Sequence, residues 1–311
     1  MISPFGFLII DKPAGITSHD CVNTIRKIFN IKKVGHGGTL DPAVTGVLPI
    51  AIGNATRLLP YLPKEKIYQA IIQLGIQTST DDLEGEITSQ TNWPLIQEID
   101  FEKHLQKFRG TILQKPPQFS SIHVAGERAY QKARRGEKFN LAAREITIHK
   151  LDLLKWDIEK GLLTINVHCS PGTYIRSLAR DLGQSLQCGG CLANLNRTQS
   201  QGFYKSQSIT LERVKELSLE DKISLLNPSE VLAHLPKKIL LDKEEVNRWR
   251  KGQQLIIKET YDDLIENKAN TKDDNSNRFI MVIDHEYEIA GIGEYSTPYR
   301  IKPKVVFNAY G

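Results

Sequence analysis

Residues 35–62 read GHGGTLDPAVTGVLPIAIGNATRLLPYL, and the rest of the chain is organised around them. The run opens with Gly35, Gly37 and Gly38 around His36, a composition that lets backbone turn sharply and lets a ligand come close. One carboxylate follows, Asp41, set directly before Pro42, and a proline biases the residue before it toward extended backbone. From Gly46 the sequence becomes apolar, GVLPIAIG, as a buried strand does. Asn54 stands where the N-cap of a short helix over residues 55–59 is expected, with Pro60 as its stop. A lone acid on a stiff loop beside a core strand is a way to aim one carboxylate. The competing reading is a structural turn capped by aspartate, and spacing alone leaves both open.

The whole chain has 311 residues, enough for one large domain with a small one or for two of medium size. Its 40% apolar content can fill a real core, and its net charge of +5 is a mild bias toward anionic partners. That charge falls short of a nucleic-acid coat protein. No run approaches the roughly 20 apolar residues of a membrane span, and the opening MISPFGFLIIDKP lacks the basic start of a signal peptide. Four cysteines occur, of which only Cys188 and Cys191 have a CxxC spacing. With no second pair and no histidine cluster beside them, free thiols in a reducing cytoplasm suit them better than zinc or redox chemistry. The glycine-rich loop lacks the Gly-Lys-Ser/Thr of a phosphate-binding P-loop, which argues against an ATPase.

In chain order, residues 6–10 form a strand candidate. Thr17 and Asp20 then make a capping-box start for a helix to about Phe29, with Val22, Ile25 and Ile28 facing inward. Residues 66–74 alternate so that Tyr68, Ala70, Ile72 and Leu74 share one face. Tyr68 is thus largely buried, either as a ligand platform or as a core ring with its hydroxyl satisfied. Residues 79–86 (STDDLEGE) form an acidic loop, and residues 101–108 a short helix ended by Gly110.

Residues 116–145, PPQFSSIHVAGERAYQKARRGEKFNLAARE, differ in texture. Arg128, Lys132, Arg134 and Arg135 cluster on a basic helix, interleaved with Phe119, Tyr130 and Phe139. Charges and rings together suit RNA, which offers phosphates and unstacked bases; a solvated amphipathic helix is the other reading. Residues 146–156 and 162–169 then read as a strand pair. A helix over 173–186 follows, with Ile175, Leu178, Leu182 and Leu186 on its core face. Arg176 sits in its first turn, where a cation opposes the helix dipole, so it is either placed there by a partner or is a surface arginine. A boundary falls near residues 227–236. Beyond it, strands over 238–241, 254–258, 278–284 and 289–295, with a polar loop at 265–277, suggest a compact all-β module.

Residues 35–62 resemble the signature of the bacterial tRNA pseudouridine-55 synthases, the TruB family. GTYIRSLARDLG (172–183) is similar to a family motif whose arginine, here Arg176, pairs with the catalytic aspartate. GGCLANLNRT (189–198) continues the match, with Leu195 and Arg197 on its Leu-x-Arg element, and gives the CxxC a non-metal explanation. The tail matches loosely, mainly through GIGEY (291–295) and KPKVVFN (302–308). The resemblance implies an α+β fold: a pseudouridine-synthase-like catalytic domain on a mixed, largely antiparallel sheet over residues 1–232. It also implies a thumb-like RNA-binding insertion at about 115–150 and a small β-rich, PUA-like RNA-binding domain over 233–311.

The reaction so implied breaks the C1′–N1 bond of a uridine, turns the uracil, forms C1′–C5 and releases the C5 proton. No redox step or group transfer occurs, so no cofactor or metal is expected. Asp41 would act on the ribose as nucleophile or base. Arg176 would hold it by a two-pronged pair. Tyr68 would stack under the uracil and take part in moving the C5 proton, although a tyrosine hydroxyl is a poor base at neutral pH. Tyr174 and Leu195 would line the base pocket and His36 would contact RNA near the vacated stacking position. Arg128, Lys132, Arg134 and Arg135 would meet phosphates of the tRNA T-stem-loop. The protein is expected to be a cytoplasmic monomer with tRNA as partner and no membrane association. Two alternatives stand beside this: a relative that works under a guide RNA, and a non-catalytic tRNA-binding or folding factor.

Overall fold

A computed structural model describes residues 4–95, 97–235, 237–257, 278–297 and 299–310. The polar loop expected at 265–277 lies outside the described residues, as does Lys258 at the end of one expected strand.

The chain begins with β1 (Gly6–Lys12) and α1 (Ser18–Phe29), whose start carries the reciprocal Thr17–Asp20 capping box. Val22 and Ile25 of α1 are buried, as the helical period requires. A short β2 (Val34–His36) leads into the glycine-rich loop, and β3 (Thr45–Ile52) is buried almost along its whole length. β4 (Lys66–Leu74) buries Tyr68, Ala70, Ile72 and Leu74 on one face. The pair β5 (Ile76–Thr78) and β6 (Ile87–Gln90) brackets the acidic loop. Then come α2 (Glu98–Leu105), β7 (Gly110–Gln114), the small pair β8 (His123–Val124) and β9 (Glu127–Arg128), and α3 (Ala129–Arg134). Two long strands follow, β10 (Arg144–Asp157) and β11 (Leu162–Cys169). Next are α4 (Ile175–Ser185), β12 (Gly190–Ser200), β13 (Phe203–Tyr204), α5 (Leu211–Leu219) and α6 (Pro228–Val231). The tail holds β14 (Lys238–Leu240), α7 (Lys243–Arg250), β15 (Leu255–Ile256), β16 (Phe279–Ile283), β17 (Ile289–Thr297) and β18 (Arg300–Val306).

The large sheet runs β1-β3-β12-β4-β11-β10-β7, with β2 and β13 paired at its side. Every pairing is antiparallel except that of β12 with β3. That parallel contact is short, Asn196 opposite Thr45 and Arg197 opposite Gly46. It demands a glycine: Gly46 has φ of 107°, and a Cβ there would lie 2.3 Å from the Arg197 carbonyl oxygen. On its other side Arg197 faces Tyr68 of β4. The loop before β3 is thereby brought over the place where β12 meets β4. The apolar face of α4, with Leu178, Ala179 and Leu182 fully buried, joins a core that includes Tyr68, Leu74, Val167 and Leu192.

The five tail strands form a second sheet in the order β14-β16-β17-β18-β15. It shares a hydrophobic cluster with the large sheet, in which Phe7, Ala51, Leu58 and Leu62 meet Met281, Ile292 and Phe307. Phe5 on Phe307 and Tyr61 on Phe279 make edge-to-face ring contacts, and Arg57 Nη1 donates to the Val306 carbonyl at 2.7 Å.

Four expectations change. Asn54 caps no helix: residues 53–61 form a 3-10 stretch with Pro60 inside it, and the Asn54 side chain accepts a hydrogen bond from Lys33 Nζ at 2.8 Å. The helix expected at 101–108 starts earlier as α2, and Gly110 opens β7. Residues 144–150, counted with the basic insertion, lie in β10. The all-β tail contains α7, where the Asp242–Glu245 capping box starts a helix that buries Trp249 completely. Strand signals on either side masked that helix, because its stripe rests on only Val246 and Trp249 amid charged residues.

Candidate active site

A cavity of about 1030 Å³ opens at the β12–β4 junction. Its lining includes Asp41, His36, Tyr68, Tyr174, Arg176 and Leu195, so residues far apart in sequence converge on one space. Arg128, Tyr130 and Arg134 reach the same cavity from the insertion. Lys132 and Arg135 do not line it.

Asp41 is mounted on a tightly held loop. The Lys12 ammonium, fully buried, donates to the Pro42 carbonyl at 3.0 Å and to those of Pro13 and Ile16. The Gly15 amide also donates to the Pro42 carbonyl. The Ser18 hydroxyl accepts the Leu40 amide proton at 2.8 Å and donates to the Leu40 carbonyl. Arg197 donates to the carbonyls of Gly38 (3.1 Å), Thr39 (3.5 Å) and Val47 (2.8 Å). Side chains from β1, α1 and β12 therefore fix the backbone on both sides of Asp41, whose own side chain stays 51% exposed toward the cavity. Lys12 and Ser18 had no positional signal in the sequence, since a lysine at a strand end and a serine at a helix start look ordinary until the loop is folded over them; Arg197 was marked only by the Leu-x-Arg resemblance, without its partners.

Arg176, only 11% exposed, approaches Asp41 with Nη2 at 3.0 Å from Oδ2. The two-pronged pair expected for them does not form. Nη1 turns instead to Asp82 Oδ2 at 3.3 Å and to the Thr80 carbonyl, and Nη2 also donates to the Phe119 carbonyl at 2.9 Å. A guanidinium spread over four acceptors is held in its plane by the fold rather than by one carboxylate. The acidic loop at 79–86 thus supplies a working counter-charge that its composition alone did not suggest. Arg180, one turn further along α4, pairs with Asp81 at 2.8 Å and donates to the Lys115 carbonyl, so two arginines of one helix dock on two adjacent aspartates. Tyr174 precedes α4 and is locked by Gln114, which exchanges hydrogen bonds with its backbone N–H and C=O.

Tyr68 is buried, with the Arg197 guanidinium beside it. Burial pushes its pKa up from the ordinary value, and the Arg197 guanidinium only partly opposes this, so the phenol holds its proton at neutral pH. His36 accepts the Gly38 amide proton on Nδ1 at 3.3 Å, which leaves Nε2 as the donor. Burial, with Arg197 nearby, pulls its pKa down and keeps the imidazole neutral.

In the insertion, Arg135 pairs with both Glu127 and Glu137, and Lys132 pairs with Glu137 at 3.0 Å. Their charges are already matched within the insertion. Arg128 donates to the Ser121 carbonyl and Arg134 lies over the Tyr130 ring, with no carboxylate partner for either among the described residues. All four cysteines are buried free thiols, and among the described residues no cluster of His, Cys, Asp or Glu could hold a metal ion. No helix among the described residues is long and apolar enough to cross a membrane.

Comparison with known proteins agrees with this arrangement. The model of the TruB family pseudouridylate synthase N-terminal domain matches residues 26–175, and that of the tRNA pseudouridylate synthase B C-terminal domain matches residues 176–234. The chain is 51% identical to the tRNA pseudouridine synthase B of Prochlorococcus marinus strain NATL1A over 314 residues, covering 100% of both. It is 51% identical to the protein of the same name from Parasynechococcus marenigrum strain WH8102 over 311 residues, again covering 100% of both. Among solved structures it is similar in fold to a chain of an H/ACA RNP bound to a substrate RNA containing 2′-deoxyuridine. That likeness has a TM-score of 0.69 at 24% identity and covers 97% of this chain and 85% of the other.

Proposed function

The chain belongs to the TruB family of pseudouridylate synthases, and on that premise we propose that it isomerises uridine-55 to pseudouridine in the T-loop of tRNA. The observation that carries the reading is the ion pair of Asp41 with Arg176 on the wall of a cavity that also exposes Tyr68, Tyr174 and Leu195. The target base must leave its stack to reach that cavity, at a cost of a few kcal/mol offset by contacts along the rest of the RNA.

Inside, Asp41 acts on the ribose while the C1′–N1 bond breaks. It serves as nucleophile or as base, and both roles use a carboxylate that is aimed, open to the cavity and provided with a counter-charge. Arg176 supplies that charge from a fixed plane. Released uracil turns between the Tyr68 ring and the side chains of Tyr174 and Leu195, and C5 bonds to C1′. Departure of the C5 proton restores aromaticity of the base. Tyr68, protonated at neutral pH, contributes its ring as a platform and its hydroxyl as a donor or relay rather than as a standing base. His36, neutral with its Nε2–H free, donates to RNA near the vacated position. No metal or cofactor enters any step. Arg128 and Arg134 meet phosphates of the stem, residues 1–232 act as the catalytic unit, and the sheet over 233–311 acts as a PUA-like accessory RNA-binding domain. The protein works in the cytoplasm as a monomer.

The full-length relatives named tRNA pseudouridine synthase B favour action on tRNA without a guide. Pure protein incubated with unmodified tRNA, followed by carbodiimide–primer-extension mapping, tests this. A single new pseudouridine stop in the T-loop is expected. Binding without any stop would turn the reading to a tRNA-binding factor.

A further inference from the structure

The floor of the cavity carries two cations that no carboxylate among the described residues neutralises. Arg197 is 0% exposed, and its donors go to three backbone carbonyls. Lys66, at the start of β4, lines the cavity, and its ammonium makes no hydrogen bond or ion pair with any described residue. The two side chains converge: a methyl group added to Gly38 would touch Lys66 Cε at 3.6 Å and Arg197 Nη1 at 3.7 Å. No neighbour among the described residues offers a negative charge. The Cys169 thiol is pushed up to about 11 by burial and is neutral, His36 is neutral, and Glu65 is engaged by His149 and His168. Asp41 and Asp82 are matched by Arg176.

Two like charges in one partly desolvated pocket are unfavourable unless an anion completes them. An ammonium is a compact point charge with three rotatable donors, which suits a phosphodiester approached from any direction. An extruded nucleotide brings its own backbone into this cavity, and so brings such an anion.

We propose that Lys66 is a phosphate-binding residue of the cavity: its ammonium, backed by Arg197 and packed on Gly38, takes the non-bridging oxygens of one phosphodiester flanking the target uridine. This rests on the reading of the cavity as a uridine-isomerising site. It adds a contact that draws the flipped nucleotide in by its backbone while Asp41 and Tyr68 address the sugar and base. Gly38 has φ of 121°, a conformation that favours glycine, and at this turn its missing side chain lets Lys66 and Arg197 lie against the loop.

The test uses the full-length protein and a T-arm stem-loop RNA carrying a neutral methylphosphonate at the phosphate 5′ or 3′ of the target uridine. Binding is measured by fluorescence anisotropy across a salt series, and pseudouridine by single-turnover assay. With wild type, one of the two neutral substitutions should weaken binding by about tenfold or more, as loss of a charged hydrogen bond does. Lys66→Gln should weaken the unmodified RNA by a similar factor and flatten the salt slope by roughly one unit. The neutral phosphate should then cost that variant nothing further, and Lys66→Arg should restore the slope. Wild-type binding indifferent to both neutral phosphates would overturn the subsite, as would full sensitivity retained in Lys66→Gln. A wild type that shows the phosphate dependence but makes no pseudouridine would sink the enzymatic reading while the subsite stands.

Discussion

The Arg176 guanidinium stands between two carboxylates, with Nη2 3.0 Å from Asp41 Oδ2 and Nη1 3.3 Å from Asp82 Oδ2. One of these acids is half exposed in the cavity; the other is 18% exposed and is fixed by the Thr80 hydroxyl and the Glu84 amide. The arginine therefore has a structural anchor on one side and a free acid on the other. That asymmetry keeps Asp41 available for chemistry while its counter-charge stays in place.

Asp41→Asn keeps the shape of the side chain and removes its charge. Turnover should fall by at least ~10³-fold, as for a group acting in the chemical step, with tRNA affinity nearly unchanged. Arg176→Lys should also lose much activity, because an ammonium cannot span Asp41, Asp82 and the Phe119 carbonyl together. Single-turnover rates and equilibrium binding on the same tRNA read both. Loss of binding and turnover together in a folded Asp41→Asn protein would make Asp41 a structural cap of its loop.

Asp82→Asn leaves Asp41 untouched and weakens only the anchor. The expected effect is smaller than that of Asp41→Asn, on the order of 10-fold in turnover, because Arg176 keeps its bonds to the Thr80 and Phe119 carbonyls. A loss equal to that of Asp41→Asn would mean that Asp82 itself takes part in the reaction.

The four basic residues of the insertion should separate into two pairs. Arg128→Gln and Arg134→Gln should each flatten the salt dependence of tRNA binding by roughly one unit of slope, as a lost phosphate contact does. Lys132→Gln and Arg135→Gln should leave the slope near its wild-type value, since their charges are held by Glu127 and Glu137. Equal effects at all four positions would show that these ion pairs open when RNA binds.

Removal of residues 237–311 should cost stability as well as affinity. The deletion uncovers Phe7, Ala51, Leu58 and Leu62, which the second sheet shields, and takes away the Arg57 hydrogen bond to Val306. A fall in melting temperature on the order of 5–10 °C is expected for a loss of a few kcal/mol. A truncated protein that melts as the full chain does would make the tail an appendage, and its effect would then be read in tRNA binding alone.

Periodicity and punctuation in the sequence mark out much of the large sheet. The alternation of residues 66–74 placed Tyr68 on the buried face, the apolar run after Gly46 became β3, and the capping box at Thr17 opened α1. These are local properties, set by which side chains recur on one face and by which residues tolerate a turn. The meeting of Asp41, Tyr68 and Arg176 in one cavity is of another kind. It came to the sequence reading only through resemblance, because no local pattern links residues 41, 68 and 176. Only tertiary structure could decide that Arg176 divides itself between Asp41 and Asp82, and that Lys12, Ser18 and Arg197 hold the Asp41 loop. It also decided that Lys132 and Arg135 turn to glutamates while Lys66 and Arg197 face no acid among the described residues. A side chain's charge is written in the sequence, but its partner depends on which strands lie side by side. In this fold that is settled by the short parallel contact of β3 with β12, where Gly46 lets the Arg197 backbone approach.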